Sequence, residues 1–258
     1  MKSSVKRQDL RGYHNANLEQ STSRLIQGGT WKKQRVIRLL PTESDRVEKV
    51  DTNNGTIYVT VQGLPMKVYL SHVSLIMPPN QPSHQIVVQG DEVGTAYSNA
   101  IEEILRHPEL SKWEYILTLE HDNCPPPDGL VRLLERMERH PEYACIGGLY
   151  WTKGHGGIPQ IWGDPNDASL NYRPRPPDPR GGLVECCGTG MGFNLWRLAM
   201  FKDSRLRRPF FKTVASMREG VGTQDLYFWG DARKYGYRCA VDCSVQVGHY
   251  DALNKIMW

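Results

Sequence analysis

Acidic and polar residues follow directly on an apolar run in the segment YILTLEHDNCPPPDGL, residues 115–130. Residues 115–119 read as a buried strand that runs into Glu120, His121, Asp122 and Asn123. Ligands of open parallel sheets bind beyond the carboxyl ends of the strands. Two carboxylates flanking one residue there can hold Mg²⁺ or Mn²⁺, which prefer oxygen ligands and often bridge to substrate phosphates. The spacing therefore predicts a metal site at Glu120 and Asp122. The alternative, capping of the next helix, is a role that suits Asp128 better.

Strands and helices alternate through the first 150 residues. Apolar runs predict strands over 35–41, 84–90, 113–120 and 144–151. Amphipathic spacing predicts helices over 66–79, 93–110 and 126–143. A hairpin excursion is expected within 42–64, where Asn-Asn-Gly separates two β-prone pieces. The alternation is typical of an α/β, Rossmann-like fold, with a mainly parallel sheet and helices on both faces.

The second half of the chain is less regular. Residues 152–182 are rich in Gly and Pro and predict a long loop of the kind that often binds or covers a ligand. Residues 183–201 read as a strand, a glycine-containing segment and a helix, residues 223–237 as a helix ended by Gly236, and residues 238–251 as a terminal strand pair. We expect residues 1–34 to form a basic N-terminal arm and residues 35–258 a single catalytic domain.

Composition narrows the class of protein. The chain has 258 residues, of which 39% are hydrophobic and 23% charged, as in ordinary globular proteins. Its apolar runs fall far short of the roughly 20 residues that a membrane helix needs, and the N-terminus lacks the apolar core of a secretory signal. The six cysteines form no CxxC pair, so we expect neither a zinc nor a disulfide framework, but reduced thiols in a cytoplasm.

The charge is mildly basic and unevenly distributed. The formal net charge is +4, with basic residues concentrated in 1–38 and in KDSRLRRPFFK, residues 202–212. Such patches attract an anionic small molecule, a nucleic acid or a membrane surface. The alternative is that both are solvated and bind nothing.

Several motifs of the chain resemble motifs of the GT-A glycosyltransferases of the broad family 2 type. ILTLEHDNCPPPDGLVRLL is similar to that family's strand ending in D-x-D, with Glu120 and Asp122 as the two acids. GTQDLYFWGDARKYGYRCAVDCSVQVGHYD resembles the stretch that opens with an E-D pair, here Gln224 and Asp225, and closes on V-x-H, here His249. RVIRLLPTES, TAYSNAIEEIL and CCGTGMGFNLWRLAMF resemble the nucleotide-contacting strand, the A-R-N helix start and the glycine-rich acceptor segment. The resemblance covers about residues 35–251.

The resemblance implies a GT-A fold and a Mn²⁺- or Mg²⁺-dependent transfer of sugar from a UDP- or GDP-sugar to an acceptor hydroxyl. It makes Asp225 the general base of an inverting displacement and Asp122 the metal ligand, supported by Glu120 and His249. The implied donor-binding residues are Pro41, Thr42, Glu43, Asn99 and His121. The implied acceptor-binding residues are Gly188, Thr189, Gly190, Gln224 and Trp229. Lys153 and His155 in the glycine-rich loop are candidates to cover the diphosphate.

Other interpretations stay open at this point. Glu120 and Gln224 each replace the family's usual acid, and Ser98 stands where the family often has Arg. A nucleotidyltransferase would use the same acidic strand end, although LLPTESDRVEKV lacks the glycines of its usual loop. A non-catalytic module that binds nucleic acid or glycan is a further alternative. The acceptor is equally open between glycan, lipid-linked sugar, protein and nucleic acid, including modified DNA bases.

Overall fold

A computed structural model describes residues 33–42, 46–52, 55–61, 64–152, 157–167, 172–216, 220–252 and 254–258. The helices of these residues are α1 (Met66–Ser74), α2 (Val93–Arg106), α3 (Gly129–Arg139) and α4 (Gln224–Ala232), and short 3₁₀ segments cover Leu110–Lys112, Leu198–Lys202 and Arg233–Tyr235. The strands are β1 (Val36–Thr42), β2 (Arg46–Thr52), β3 (Gly55–Val61), β4 (Ser83–Gln89), β5 (Tyr115–Leu119), β6 (Asn123–Cys124), β7 (Cys145–Leu149), β8 (Trp151–Thr152), β9 (Ile158–Pro159), β10 (Ile161–Trp162), β11 (Leu183–Cys186), β12 (Gly188–Thr189), β13 (Phe193–Arg197), β14 (Val214–Ser216), β15 (Gly220–Gly222), β16 (Cys239–Gln246), β17 (Gly248–Asp251) and β18 (Ile256–Met257).

The central sheet has the strand order β11-β16-β7-β13-β5-β1-β4. Strands β4, β1, β5, β7 and β16 run in one direction, because β13 is antiparallel to both β5 and β7, while β11 is antiparallel to β16. The protein is thus an α/β, Rossmann-like fold with a mostly parallel sheet. The carboxyl ends of the five parallel strands share one edge, and β13 begins at that edge, since Phe193 pairs with Leu119.

Two hydrophobic cores lie on the two faces of this sheet. One contains Ile101 and Ile104 of α2 with Phe228 and Trp229 of α4. The other contains the apolar side of α3, with Leu133, Leu134 and Met137. Strands β5 and β7 are buried along their whole length because helices cover both faces, which explains their continuous apolar runs.

Some element predictions need correction. Helix α1 ends at Ser74, before the predicted end at 79. The strand expected over 84–90 is present as β4, but it is an edge strand paired with β1 and is largely exposed, not buried. The helix expected at the end of 183–201 is strand β13 followed by the short 3₁₀ segment Leu198–Lys202, since its apolar residues pack between β5 and β7.

Other predictions of the chain's organisation are met in part. The hairpin excursion is confirmed, since β2 and β3 pair from Arg46 and Val61 to Thr52 and Gly55. The terminal strands β16 and β17 exist, but they belong to different sheets, because β17 lies between β6 and β18. Residues 1–32 of the arm lie outside the described residues. Gln34 is already buried, so the fold begins at or before it.

The described part of the chain has neither a membrane-spanning helix nor a disulfide. No helix there has the length and apolarity needed to cross a membrane. All six cysteines are buried free thiols.

Candidate active site at the carboxyl edge of the sheet

The carboxyl edge of the central sheet brings together the ends of β5 and β17. Strand β5 ends at Leu119, and the chain then turns through Glu120 to Asp122 before β6 leaves the central sheet. Strand β17 pairs antiparallel with β6, placing His249 opposite Asn123. The Tyr250 N–H also donates to the Asp122 carbonyl at 2.7 Å. This small sheet therefore holds residues from the two distant motifs side by side.

Asp122 and His249 contact each other directly. The His249 Nε2 lies 3.1 Å from Asp122 Oδ2, whereas Asp122 Oδ1 is buried and has no hydrogen-bond partner in the structure. Burial alone would raise the pKa of Asp122, but the hydrogen bond and charge of His249, with the charge of His121, outweigh it and hold the pKa below its usual range. Asp122 is therefore ionised, and its Oδ1 is an acceptor without a partner within the protein.

Glu120 has the opposite protonation state at neutral pH. Burial, and then the charges of Asp122 and Asp225, raise the pKa of Glu120 to about 8, while the nearby Tyr97 hydroxyl opposes the shift. Two carboxylates that share a poorly solvated region cannot both ionise cheaply. Glu120 is thus a protonated acid beside an ionised Asp122.

Asp225 is the second residue of α4 and lies close enough for its charge to act on Glu120. Its side chain is buried, with 4% exposure, and Oδ1 has no partner. Burial raises the pKa of Asp225, although the Thr223 side chain and the Leu226 N–H partly offset it. Thr223 occupies the N-cap position, so Asp225 is not the capping residue. A buried carboxylate with a raised pKa and a free oxygen is suited to accept a proton.

The segment between β12 and β13 forms one wall of this site. A side chain at Gly190 would collide with the Tyr150 hydroxyl, and the Gly192 N–H donates to that same hydroxyl at 3.0 Å. Burial raises the pKa of Tyr150, and the charges of Glu120, Asp225 and Asp122 raise it further. Tyr150 therefore lies near all three acids. The backbone at Gly190 and Gly192 packs against its hydroxyl, and at Gly190 a side chain would prevent this close approach.

Most of the other predicted binding residues lie at or near the carboxyl edge of the sheet. Pro41 is buried and Thr42 half-buried at the end of β1, on the same edge. His121 is half-buried between Glu120 and Asp122. Gly188 and Thr189 form buried strand β12, and half-buried Gln224 packs against the first turn of α2. Glu43, Lys153 and His155 lie outside the described residues.

Two predicted binding residues, Asn99 and Trp229, face solvent and core. Asn99 is exposed on the solvent side of α2, whereas Tyr97 of the same helix is buried and lies near Glu120, so Asn99 faces away from the three acids. Trp229 has 0% exposure and stacks on Trp196 with ring centroids 5.3 Å apart. It offers no ring face to an acceptor. Instead it supports Gly188, where an added Cβ would lie 3.1 Å from the indole.

Tyr97, Tyr150 and His72 were missed by sequence analysis. The His72 Nε2 lies 2.9 Å from the Asn123 carbonyl, which fixes α1 to the chain just after Asp122. Burial, and then the charges of Arg38 and His121, lower the pKa of His72. Tyr150 lies near the end of the strand predicted over 144–151, which was the one available signal.

The fit of this site to a divalent cation is partial. The described residues contain no group of three or more His, Cys, Asp or Glu side chains arranged to hold a metal ion. They do supply the ionised Asp122 with its free, buried Oδ1. Mg²⁺ commonly binds through one or two carboxylates and completes its shell with substrate phosphates. The donor set fits that kind of site, in which the nucleotide supplies ligands, and not a preformed protein cage.

Comparison with known proteins supports the fold. No protein-family model and no curated protein matches the chain. Among solved structures, the crystal structure of A197 from STIV superposes with a TM-score of 0.54 at 13% identity, covering 86% of this chain and 92% of that chain. At such low identity the likeness shows a shared α/β fold and nothing about activity.

Proposed function

We propose that this protein is a metal-dependent GT-A glycosyltransferase of the family 2 type, which transfers a sugar from a UDP- or GDP-sugar to an acceptor hydroxyl. One observation carries the proposal. Three carboxyl groups meet at the carboxyl edge of the sheet in different states: Asp122 ionised with a free oxygen, Glu120 protonated, and Asp225 buried with a raised pKa. Structural acids have no need of such an arrangement, whereas acid–base chemistry does.

Asp122 is proposed to hold the cation through Oδ1, the oxygen that has no protein partner. A bound Mn²⁺ or Mg²⁺ would neutralise charge on the departing nucleoside diphosphate. His249 orients the Asp122 carboxylate through Oδ2. His249 is also close enough to Asp122 to become a further ligand of the cation, as the family resemblance implies.

Glu120 is proposed to act as a hydrogen-bond donor. With a pKa of about 8 it keeps its proton at neutral pH, so it can donate to a ribose hydroxyl or to a neighbouring oxygen. This role suits its position between Asp122 and Tyr97. It also avoids placing two negative charges beside the nucleotide diphosphate.

Asp225 is proposed to be the general base. Its raised pKa makes it a better proton acceptor than an ordinary aspartate, and its free Oδ1 provides the accepting atom. The acceptor hydroxyl would lose its proton to Asp225 as its oxygen forms the new bond to the anomeric carbon. The bond to the diphosphate oxygen breaks in the same displacement, which inverts the anomeric configuration.

Pro41, Thr42 and His121 are proposed to contact the donor, since they lie on the edge that carries Asp122. Gly188, Thr189, Gly190 and Gln224 are proposed to line the acceptor side, next to Asp225. The basic run 202–212 gives little support to a nucleic-acid acceptor. Arg205 is paired with Asp203, Arg208 with Glu102, and Arg207 lies over the Tyr227 ring. The acceptor class stays open, and we propose a cytoplasmic location.

A release assay tests the function. The full chain is incubated with UDP- and GDP-sugars, with Mn²⁺ or with EDTA, and the free nucleoside diphosphate is measured with and without acceptor mixtures. We expect one nucleotide class to be consumed only with the metal, and Asp225→Asn to reduce the rate at unchanged donor affinity. Metal-independent release, or release by Asp225→Asn at the wild-type rate, would contradict the proposal.

A further inference from the structure

Helix α1 exposes an apolar stripe on its outer side. Met66, Tyr69, Leu70 and Val73 form one stripe at helical spacing and are 68%, 49%, 46% and 59% exposed. The buried side of the helix carries two polar residues, Ser71 and His72, beside the apolar Val68. Helices at a protein surface normally place the apolar stripe inward.

The buried polar groups of α1 have specific partners. The Ser71 hydroxyl donates to the Pro125 carbonyl at 2.6 Å, and the His72 Nε2 lies 2.9 Å from the Asn123 carbonyl. Both partners belong to the segment that follows Asp122. These bonds fix which side of α1 faces inward, so the outward apolar stripe is a consequence of how the candidate active site is built.

The stripe continues onto the C-terminal strand. Lys67 of α1 has its Nζ 5.4 Å from the centre of the Tyr250 ring in β17, and Tyr250 pairs with Met257 of β18. Ile256 and Met257 are 43% and 37% exposed. Of the seven large exposed apolar side chains in the described residues, six therefore lie on α1 and β18. Such concentration marks an interaction surface.

The exposed charges carried by α1 and by residues 252–258 are basic. Residues 64–90, which include α1, contain no Asp or Glu, and neither do residues 252–258. Lys67 and Lys255 are exposed within these two segments. A second copy of the chain in a symmetric contact would bring like charges together, because such a contact places the same patch on both sides. An anionic apolar surface complements the patch instead.

We propose that α1 and β18 form a docking surface for an anionic lipid membrane. Met66, Tyr69, Leu70 and Val73 would enter the headgroup region while Lys67 and Lys255 face lipid phosphates, as in other interfacial helices. The inference goes beyond the proposed transferase and does not depend on it. The surface adjoins β6 and β17, so docking would hold the carboxyl edge next to the membrane.

Sedimentation with vesicles tests the surface directly. The full chain is mixed with vesicles of phosphatidylcholine alone, or of equal parts phosphatidylcholine and phosphatidylglycerol. We expect binding to the anionic vesicles that weakens as salt rises. The triple variant Tyr69→Ser, Leu70→Ser, Val73→Ser should bind at least about tenfold more weakly, because each exposed side chain contributes apolar area. Lys67→Glu should weaken binding, whereas Lys202→Glu, the same charge change on the opposite face of the sheet, should leave it unchanged.

Three results would overturn the inference. One is failure of the wild type to sediment with anionic vesicles. Another is a concentration-dependent dimer that the triple variant abolishes, measured by analytical ultracentrifugation. The third is a lower thermal midpoint of the triple variant without any vesicle binding, which would mean that the chain covers its own stripe. Nucleoside diphosphate release without vesicles reports separately on the transferase.

Discussion

Asp242 and Asp225 are both buried acids in this fold, but their surroundings differ. Asp242 lies in β16 with 0% exposure. Arg136 Nε donates to its Oδ2 at 2.7 Å, and the N–H and hydroxyl of Ser244 donate to Oδ1 at 2.9 and 2.5 Å. Asp225 is 4% exposed, and its Oδ1 has no partner in the structure. One acid has three donors, and the other keeps an unused oxygen.

The difference distinguishes Asp242 from the acids at the carboxyl edge of the sheet. A buried charge without partners costs several kcal/mol, so a fold that keeps one usually has a reason for it. Asp242 joins α3 to the central sheet and has nothing left to offer a ligand. Asp225, Asp122 and Glu120 share one edge and retain accepting or donating capacity. We infer function from that unused capacity combined with their position on one shared edge.

The largest expected effect is on turnover. Asp225→Asn should lower the rate of nucleoside diphosphate release by about 10²–10⁴-fold, the usual contribution of a general base. Its thermal midpoint should stay equal or rise, because the amide avoids burying a charge. Asp242→Asn is the matched control and should do the reverse, losing stability but keeping the rate per folded molecule. Equal losses of rate in the two variants would remove the distinction.

Breaking the Asp242 pair should be the largest effect on stability. Arg136→Met should lower the free energy of unfolding by about 3 kcal/mol, because it leaves a buried carboxylate without its cation. Urea unfolding measures the loss. The double variant Arg136→Met, Asp242→Asn should recover part of it, since the unpaired charge is gone. A loss within about 0.5 kcal/mol for the single variant would show that the pair contributes little.

A substitution at Gly190, in the segment between β12 and β13, should have a smaller effect on stability. Gly190→Ala should lower the free energy of unfolding by about 1–3 kcal/mol, because the added methyl meets the Tyr150 hydroxyl and lies 2.8 Å from Gln160 Oε1. Gly222→Ala is the control, since an added Cβ there has no atom within 4 Å, and it should change stability by less than about 0.5 kcal/mol. Similar unfolding curves for the two variants would argue against the close packing around Tyr150.

The pH dependence of stability gives the smallest effect. The pKa of Glu120 is raised from 4.5 to about 8, so between these values the folded protein holds a proton that the unfolded chain releases. Stability therefore falls as pH rises through this window. In EDTA, Glu120→Gln should flatten that fall, and its gain in thermal midpoint over the wild type should be larger at pH 8 than at pH 5. Parallel midpoint curves would contradict the raised pKa.

Sequence patterns predicted much of the fold because they report local burial. The continuous apolar run of β5 identifies a strand that is covered on both faces. The amphipathic spacing of α3 identifies a helix that packs on one side. The exposure of β4 could not be predicted, because it depends on having β1 as its neighbour on one side alone. The strand β13 was mistaken for a helix because a short apolar run has no period that separates the two.

The site was predictable only where residues lie close in sequence. Glu120 and Asp122 stand out from their spacing, whereas the contact between Asp122 and His249 joins residues 127 positions apart and was suggested by family resemblance alone. Tyr97 and Tyr150 carry no signal of their own, because their importance comes from being buried beside the acids. Asn99 and Trp229 were transferred by resemblance to positions that face solvent and core.

Nucleotide binding to the wild type and to Asp122→Ala, measured by calorimetry, is the most direct test of the account. The wild type and Asp122→Ala are each titrated with UDP and with GDP, in Mn²⁺ and in EDTA. The account predicts that the wild type binds one nucleotide tightly only with Mn²⁺, and that Asp122→Ala loses this metal-dependent gain while unfolding at a similar temperature. Nucleotide affinity that is the same in Mn²⁺ and EDTA, or a metal-dependent gain that survives in Asp122→Ala, would contradict it.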